Sequence, residues 1–239
     1  MRCTGDIGSV FKVHLLHLRV GSDNDPYVDR QEHREEPMPE QKKPSKLDAL
    51  PRVEMTTRAQ WRAWLKKNHT RTTGIWLVYW KKTHTEKHMG YDAIVEEVLC
   101  FGWIDSTARP LDADRSMLHI CPRKPKSVWS KVNKARVEKL IATKRMTPAG
   151  QKVIDDAKKS GSWTSLDAVE ALEMPADLAK ALAKNKTAKK HFEAFPPSAR
   201  KFILYHIGSA KTEVTRTKRI NQVVALAEQN IRMNQPERN

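Results

Sequence analysis

The sequence predicts an α+β protein: a small, largely antiparallel sheet of three or four strands with helices, followed by a basic helical C-terminal region. Three observations carry this. Ile75-Trp76-Leu77-Val78-Tyr79-Trp80 is apolar on both faces, as a central strand covered on each side must be. Trp103–Ala108 and Met117–Cys121 flank a turn at Pro110–Arg115, the pattern of a hairpin. After Pro125 the apolar residues recur at helical spacing, with Ser, Thr and Pro at the points where helices start.

Residues 1–49 read as a disordered N-terminal tail. Val10–Leu18 is apolar but broken by Lys12, His14 and His17, so no secretion signal is expected, and Pro26, Pro37, Pro39 and Pro44 punctuate a polar linker. An α+β subdomain is expected over 50–125 and a helical one over 126–234, packed with the sheet part as one unit. Thr57 with Gln60 forms a capping box, and Trp61, Trp64 and Leu65 share one face of a helix running to about Asn68. Asp92 is expected to cap a second helix with Ile94, Val95, Val98 and Leu99 as its buried stripe, ended by Gly102. Farther on, Ser130 or Ser127 caps a helix bearing Val132, Val137, Leu140 and Ile141. Thr147-Pro148 opens the next, Ser160-Gly161 closes it, and Pro175 and Pro197 open two more. The longest spans 212–232, with Ile220, Val224, Ala227 and Ile231 facing the core.

Composition excludes several classes of function. The 239 residues hold three cysteines and no CxxC, against a disulfide framework or a thiolate zinc site. No two of the nine glycines lie two apart, and no GxxxxGK[ST] occurs, so neither common nucleotide-binding loop is present. No run of eighteen apolar residues offers a membrane span. No cofactor and no metal is expected. His84 and His88 stand four apart, but Glu86 is misplaced for HExxH and Lys87 adds an opposing charge.

The net charge of +16 is uneven: residues 122–239 carry 25 Lys and Arg against 11 Asp and Glu. Such a field suits a polyanion, nucleic acid among them, although lysine-solvated helix faces give the same count. The segment Pro122–Ser130 places Arg123, Lys124 and Lys126 in a proline-stiffened loop before a helix start, with Trp129 interleaved. Fixed cations, amide donors and the positive helix end together make an anion site, assigned to Arg123, Lys124, Lys126, Trp129, Ser130, Asn133 and Arg136, with Trp129 as a stacking wall. The alternative is a connector whose Trp129 sits in the core. A second candidate pocket surrounds Trp103 and Asp105, which alternation puts on one face; there Asp105 is either a general base or a structural carboxylate.

Several stretches carry a resemblance. Arg58–Asn68 (RAQWRAWLKKN), Gly74–Lys82 (GIWLVYWKK), Tyr91–Ser106 (YDAIVEEVLCFGWIDS), Arg123–Arg136 (RKPKSVWSKVNKAR), Met146–Ala149 (MTPA) and Ser209–Ile220 (SAKTEVTRTKRI) resemble the YdeI/OmpD-associated family, also called bacteriocin-protection proteins, from about Leu50 to Ile231. Departures are Val128 at a usually polar position, Ile120-Cys121 for a more typical Phe-Thr, and Glu213 displaced by one. The resemblance implies a role in protection against bacteriocins or at the envelope and brings no catalytic set. The leading expectation is a non-enzymatic, cytoplasmic, stress-associated protein that engages an anionic partner through its basic half. Its rivals are an enzyme using the Asp105 pocket and a protein-interaction module.

Overall fold

The computed structural model describes residues 45–233, so residues 1–44 of the expected tail lie outside the described residues. Among the described residues are four strands and nine helices, an α+β fold. They divide into two compact units. A sheet unit takes the described residues up to Val98 together with Trp103–Pro122; a helical unit takes Leu99–Gly102 and the described residues from Arg123 onward. The division expected near 125 therefore falls three residues earlier, at the end of the last strand.

In the sheet unit, β1 (Arg52–Glu54) leads through α1 (Arg58–Asn68) to β2 (Ile75–Trp80), and α2 (Tyr91–Cys100) leads to the hairpin β3 (Trp103–Pro110) and β4 (Arg115–Pro122). The order is β1-β2-β4-β3, with β1 parallel to β2 and the other pairs antiparallel. β1 escapes the hydropathy pattern because it is three residues long and lies at an edge. Alternation along β2 and β4 sends Trp76, Val78 and Met117 to one face, where Leu47, Leu50 and Leu111 pack on them. The unit thus begins upstream of Leu50. Trp76 Nε1 donates to the Leu47 carbonyl at 2.7 Å, anchoring that start. Ile75, Leu77, Leu118 and Ile120 point the other way and are buried, as are Trp61 and Leu65 of α1 and Ile94 and Val95 of α2. Each such side chain contributes roughly 1.5–3 kcal/mol by leaving water.

Thr57 caps α1 by accepting from the Gln60 amide at 3.2 Å, while Gln60 Oε1 accepts from Thr56 rather than closing the box on Thr57. Asp92 lies inside the first turn of α2 and is not its cap; there its charge suits the positive helix end.

The helical unit runs α3 (Lys131–Ala142), α4 (Pro148–Lys159), α5 (Asp167–Glu170), α6 (Ala176–Ala183), α7 (Lys186–Ala194), α8 (Pro197–Gly208) and α9 (Glu213–Glu228). Ser130, Thr147, Asn185 and Thr212 each accept the amide three residues ahead, the N-cap arrangement. α7 was not separable by Pro or Gly signals, because Asn185 alone starts it. Leu178, Leu182, Phe192, Ile203, Ile207, Ile220 and Val223 share the core of α6–α9. On α9 the inward residues are Ile220, Val223 and Ala227. Val224 is only part-buried, and Ile231, beyond the helix, is 41% exposed. Likewise Val132 and Ile141 of α3 face outward and only Val137 and Leu140 are buried.

Gly102 has φ +76, as a tight exit from α2 requires. A Cβ there would stand 2.7 Å from Val153 Cγ2.

Candidate anion-binding surface

The loop ahead of α3 is built by its sequence. Pro125 and Lys126 occupy the centre of a turn closed by the Ser127 amide on the Lys124 carbonyl at 3.1 Å. Lys126 takes φ 67, the value that this turn demands at its third position and that a lysine adopts only under strain. Lys126 is exposed and Lys124 half-buried.

Trp129 is not a surface for a base. Its ring is 2% exposed, with the Arg123 guanidinium 3.6 Å above it and the Trp163 ring 4.9 Å away. Arg123 is itself 7% exposed and donates to the Val128 carbonyl at 2.6 Å. Both side chains close the loop onto the unit's interior. The connector alternative describes Trp129 correctly, because a large aromatic in a basic loop gains more from burial than from waiting in water for a ligand.

Nor is the start of α3 vacant. The Lys131 amide donates to Glu170 Oε1 at 3.3 Å, and Glu170 Oε2 holds Lys201 Nζ at 2.5 Å. Lys134 pairs with Asp167 from the same short helix. Thus α5 sets its own carboxylates against the positive end of α3, where an external anion was expected. Ser130 accepts from the Asn133 amide at 3.3 Å, and Asn133 Oδ1 accepts from Arg136 at 3.0 Å. Of the seven predicted residues, Lys124 and Lys126 present charge outward from the loop, while Arg123, Trp129, Ser130, Asn133 and Arg136 are engaged in its own structure.

At the second candidate, Asp105 Oδ2 accepts from the Tyr91 hydroxyl at 2.8 Å. Trp103 is 1% exposed, and its Nε1 donates to the His69 carbonyl at 2.9 Å, satisfying the end of α1. Neighbouring carboxylates are also held: buried Glu97 receives Arg58 at 2.6 Å and Arg62 at 2.7 Å, and Glu96 receives Arg58 at 2.7 Å. On the other face of the sheet, buried His119 meets Ser106 Oγ at 2.7 Å through Nδ1. Burial, aided by the Arg109 charge, lowers its pKa and favours the neutral ring. Gly74 lies so close that a Cβ there would be 2.7 Å from His119 Nε2, which leaves a substrate no room on that side.

His84 bonds Asp114 at 2.8 Å and His88 the Trp80 carbonyl at 2.7 Å. Among the described residues no group of three metal-ligating side chains is brought together, and no helix is long and apolar enough to cross a membrane.

Two shallow hollows lie between α6 and α9, lined by Lys180 and Lys184 and by Asp177, Glu213 and Glu228. The first, of about 350 Å³, is lined by Ala181, Lys184, Asn185, Asn221, Val224 and Glu228 among others. A second, of about 170 Å³, adds Lys180, Thr217 and Ile220 and shares Lys184 and Asn221 with it. Together they form a groove between α6 and α9. Lys180, Lys184, Lys186 and Lys190 are exposed, and none of the ion pairs described above reaches them. The missed signal was in the spacing: Lys180 and Lys184 stand four apart, on one face of a helix whose opposite side holds Leu178 and Leu182.

The end of α8 and start of α9 are locked by the SAKTEVTRTKRI stretch. Arg216 bonds Asp177 of α6 through two nitrogens at 2.5 and 2.9 Å. Arg219 donates to the His206 carbonyl and, at 2.9 Å, to Ser209 Oγ, satisfying the last turn of α8. The Arg216 hydrogen bonds hold the Asp177 carboxyl below the usual carboxylate range.

A helical unit with buried loop aromatics is a compact bundle, joined in sequence to a small mixed-sheet unit. Its residues 171–230 match the family described as Bacteriocin-protection, YdeI or OmpD-Associated, in agreement with the resemblance drawn from the sequence over that segment. Residues 53–153 match a separate family, a domain of unknown function. The stretches quoted upstream of residue 150 all fall within this second match. No curated protein and no solved structure matches the chain.

Proposed function

We propose that the protein is a non-enzymatic, cytoplasmic member of the bacteriocin-protection group that binds an anionic partner through its helical half. The observation that carries this is the disposition of charge. Three carboxylates of the helical unit are drawn into internal pairs, Asp167 with Lys134, Glu170 with Lys201 and Asp177 with Arg216, while Glu213 and Glu228 stay exposed at the ends of the groove. Lysines at 180, 184, 186 and 190 are left exposed, and the first two line the α6–α9 groove. Each pair cancels one charge of either sign, so the +14 excess of residues 122–239 is carried by the side chains left outside them.

Heparin affinity measured across a salt series tests the reading. Contacts made by counterion release weaken steeply as salt rises. Reversing Lys180, Lys184 and Lys190 to Glu should weaken binding at least about tenfold and flatten the salt slope by about three contacts. Binding that ignores both salt and the reversal would refute it.

A further inference from the structure

We infer that α8 and α9 form a helix-turn-helix whose second helix reads duplex DNA in the major groove. This deepens the proposed function by naming the anionic partner, and it rests on that reading.

The two helices are joined by four residues, Ser209–Thr212, the length such a motif uses. The turn is held from both sides: Thr212 accepts the Thr215 amide at 3.2 Å, and Arg219 reaches back to His206 and Ser209. α9 is thereby fixed relative to α8. Its inner face, Ile220, Val223 and Ala227, is buried in the bundle.

The opposite face is what a reading helix offers. Val214, Thr217, Lys218, Asn221, Gln222 and Ala225 are all exposed and follow one another at helical spacing over three turns. Val214, in the first turn, is 81% exposed, far more than any other large apolar residue described as exposed. Asn and Gln pair bidentately with the adenine edge, Lys with guanine, and Val, Thr and Ala meet the thymine methyl. Recognition helices use their N-terminal half for these contacts, and Val214, Thr217 and Lys218 lie there. Lys211 in the turn and Lys180 and Lys184 across the groove flank it with charge for backbone phosphates. Glu213 and Glu228 lie at its two ends, and Asp177 is spent on Arg216, so the middle of the stripe stays free of carboxylate.

The same chemistry argues against other nucleic acids. An A-form RNA major groove is too deep and narrow to admit a helix. Single strands are gripped by exposed stacking rings, whereas Trp129, Phe192 and Phe195 of this unit are buried and Trp163, Phe202 and Tyr205 half-buried.

The full chain should be offered a pool of duplexes with a randomised core, with heparin as the sequence-free polyanion. Enrichment of a short common core is expected. Val214→Ala with Gln222→Ala, neither of which lines the groove, should weaken binding to the enriched duplex roughly tenfold or more, while heparin affinity, its salt slope and the circular dichroism stay unchanged. Steep, salt-dependent heparin binding with no enriched core, or with an enriched core indifferent to both substitutions, overturns the helix-turn-helix and leaves the anionic reading intact. Binding to neither probe overturns both.

Discussion

Two glycines with nearly the same backbone conformation separate conformational strain from collision. Gly102 has φ +76 and Gly161 φ +75. A methyl group at Gly161 meets nothing within 4 Å, whereas at Gly102 it lands 2.7 Å from Val153 Cγ2 and 3.2 Å from the Ala149 carbonyl. Gly161→Ala should therefore cost only the left-handed penalty, about 1–2 kcal/mol. Gly102→Ala should cost that and an overpacking term of roughly 1–3 kcal/mol, because a helix backbone does not yield as a side-chain tip does. Together the two terms at Gly102 are about 2–5 kcal/mol. Urea unfolding read at constant m measures both substitutions in the same protein. Val153→Ala removes the closer of the two colliding atoms, so a double-mutant cycle with Gly102→Ala should return a coupling of at least about 0.5 kcal/mol. Equal losses at the two glycines, with no coupling to Val153, would refute the close approach of α4 to the end of α2.

Three further outcomes are expected. Glu97→Gln leaves Arg58 and Arg62 facing a neutral amide at a fully buried position, and should lower stability by about 3 kcal/mol, the low end for a broken buried pair because each guanidinium is about one-third exposed; a thermal midpoint within a degree of the parent's would contradict it. Trp129→Ala should cost roughly 3–5 kcal/mol in a denaturant melt and leave heparin affinity of the folded fraction unchanged. An unaltered melt with lost binding would restore the ring to the surface. Because Asp177 has its pKa depressed by Arg216, its contribution is complete above the unfolded value of about 3.9 and is lost as pH falls through the lower folded value. Asp177→Asn should accordingly lose midpoint temperature less steeply than the parent below about pH 4, and parallel curves would show that the pair is not felt.

Much of the fold was legible because hydropathy period and cap chemistry are local. β2 was readable from Ile75–Trp80 alone, and Thr147-Pro148, Ser130 and Thr212 marked helix starts because each hydroxyl accepts the amide three residues ahead. Non-local chemistry was not legible. Nothing in the string Lys124–Asn133 announces that Glu170, some forty residues on, supplies the anion at the head of α3. Nothing in Val128-Trp129-Ser130 distinguishes a ring that waits for a base from one roofed by its own arginine. The Asp105 face was placed correctly by alternation, yet its partner Tyr91 sits on another element, which spacing cannot reveal. On α9 the error of one residue, Val224 for Val223, came from counting a 4-3-4 rhythm where the true inward set is spaced three and four.

The carboxylate of Glu170 also bears on how the molecule can be dissected. It lies one residue upstream of the segment shared with the bacteriocin-protection family, which begins at 171. A fragment trimmed to that boundary would carry Lys201 with its counterion cut away, and one trimmed to the upstream match at 53–153 would bare the first amide of α3. Subcloning by sequence similarity would so manufacture, on each half, an artificial affinity for phosphate or chloride that the intact chain satisfies from within.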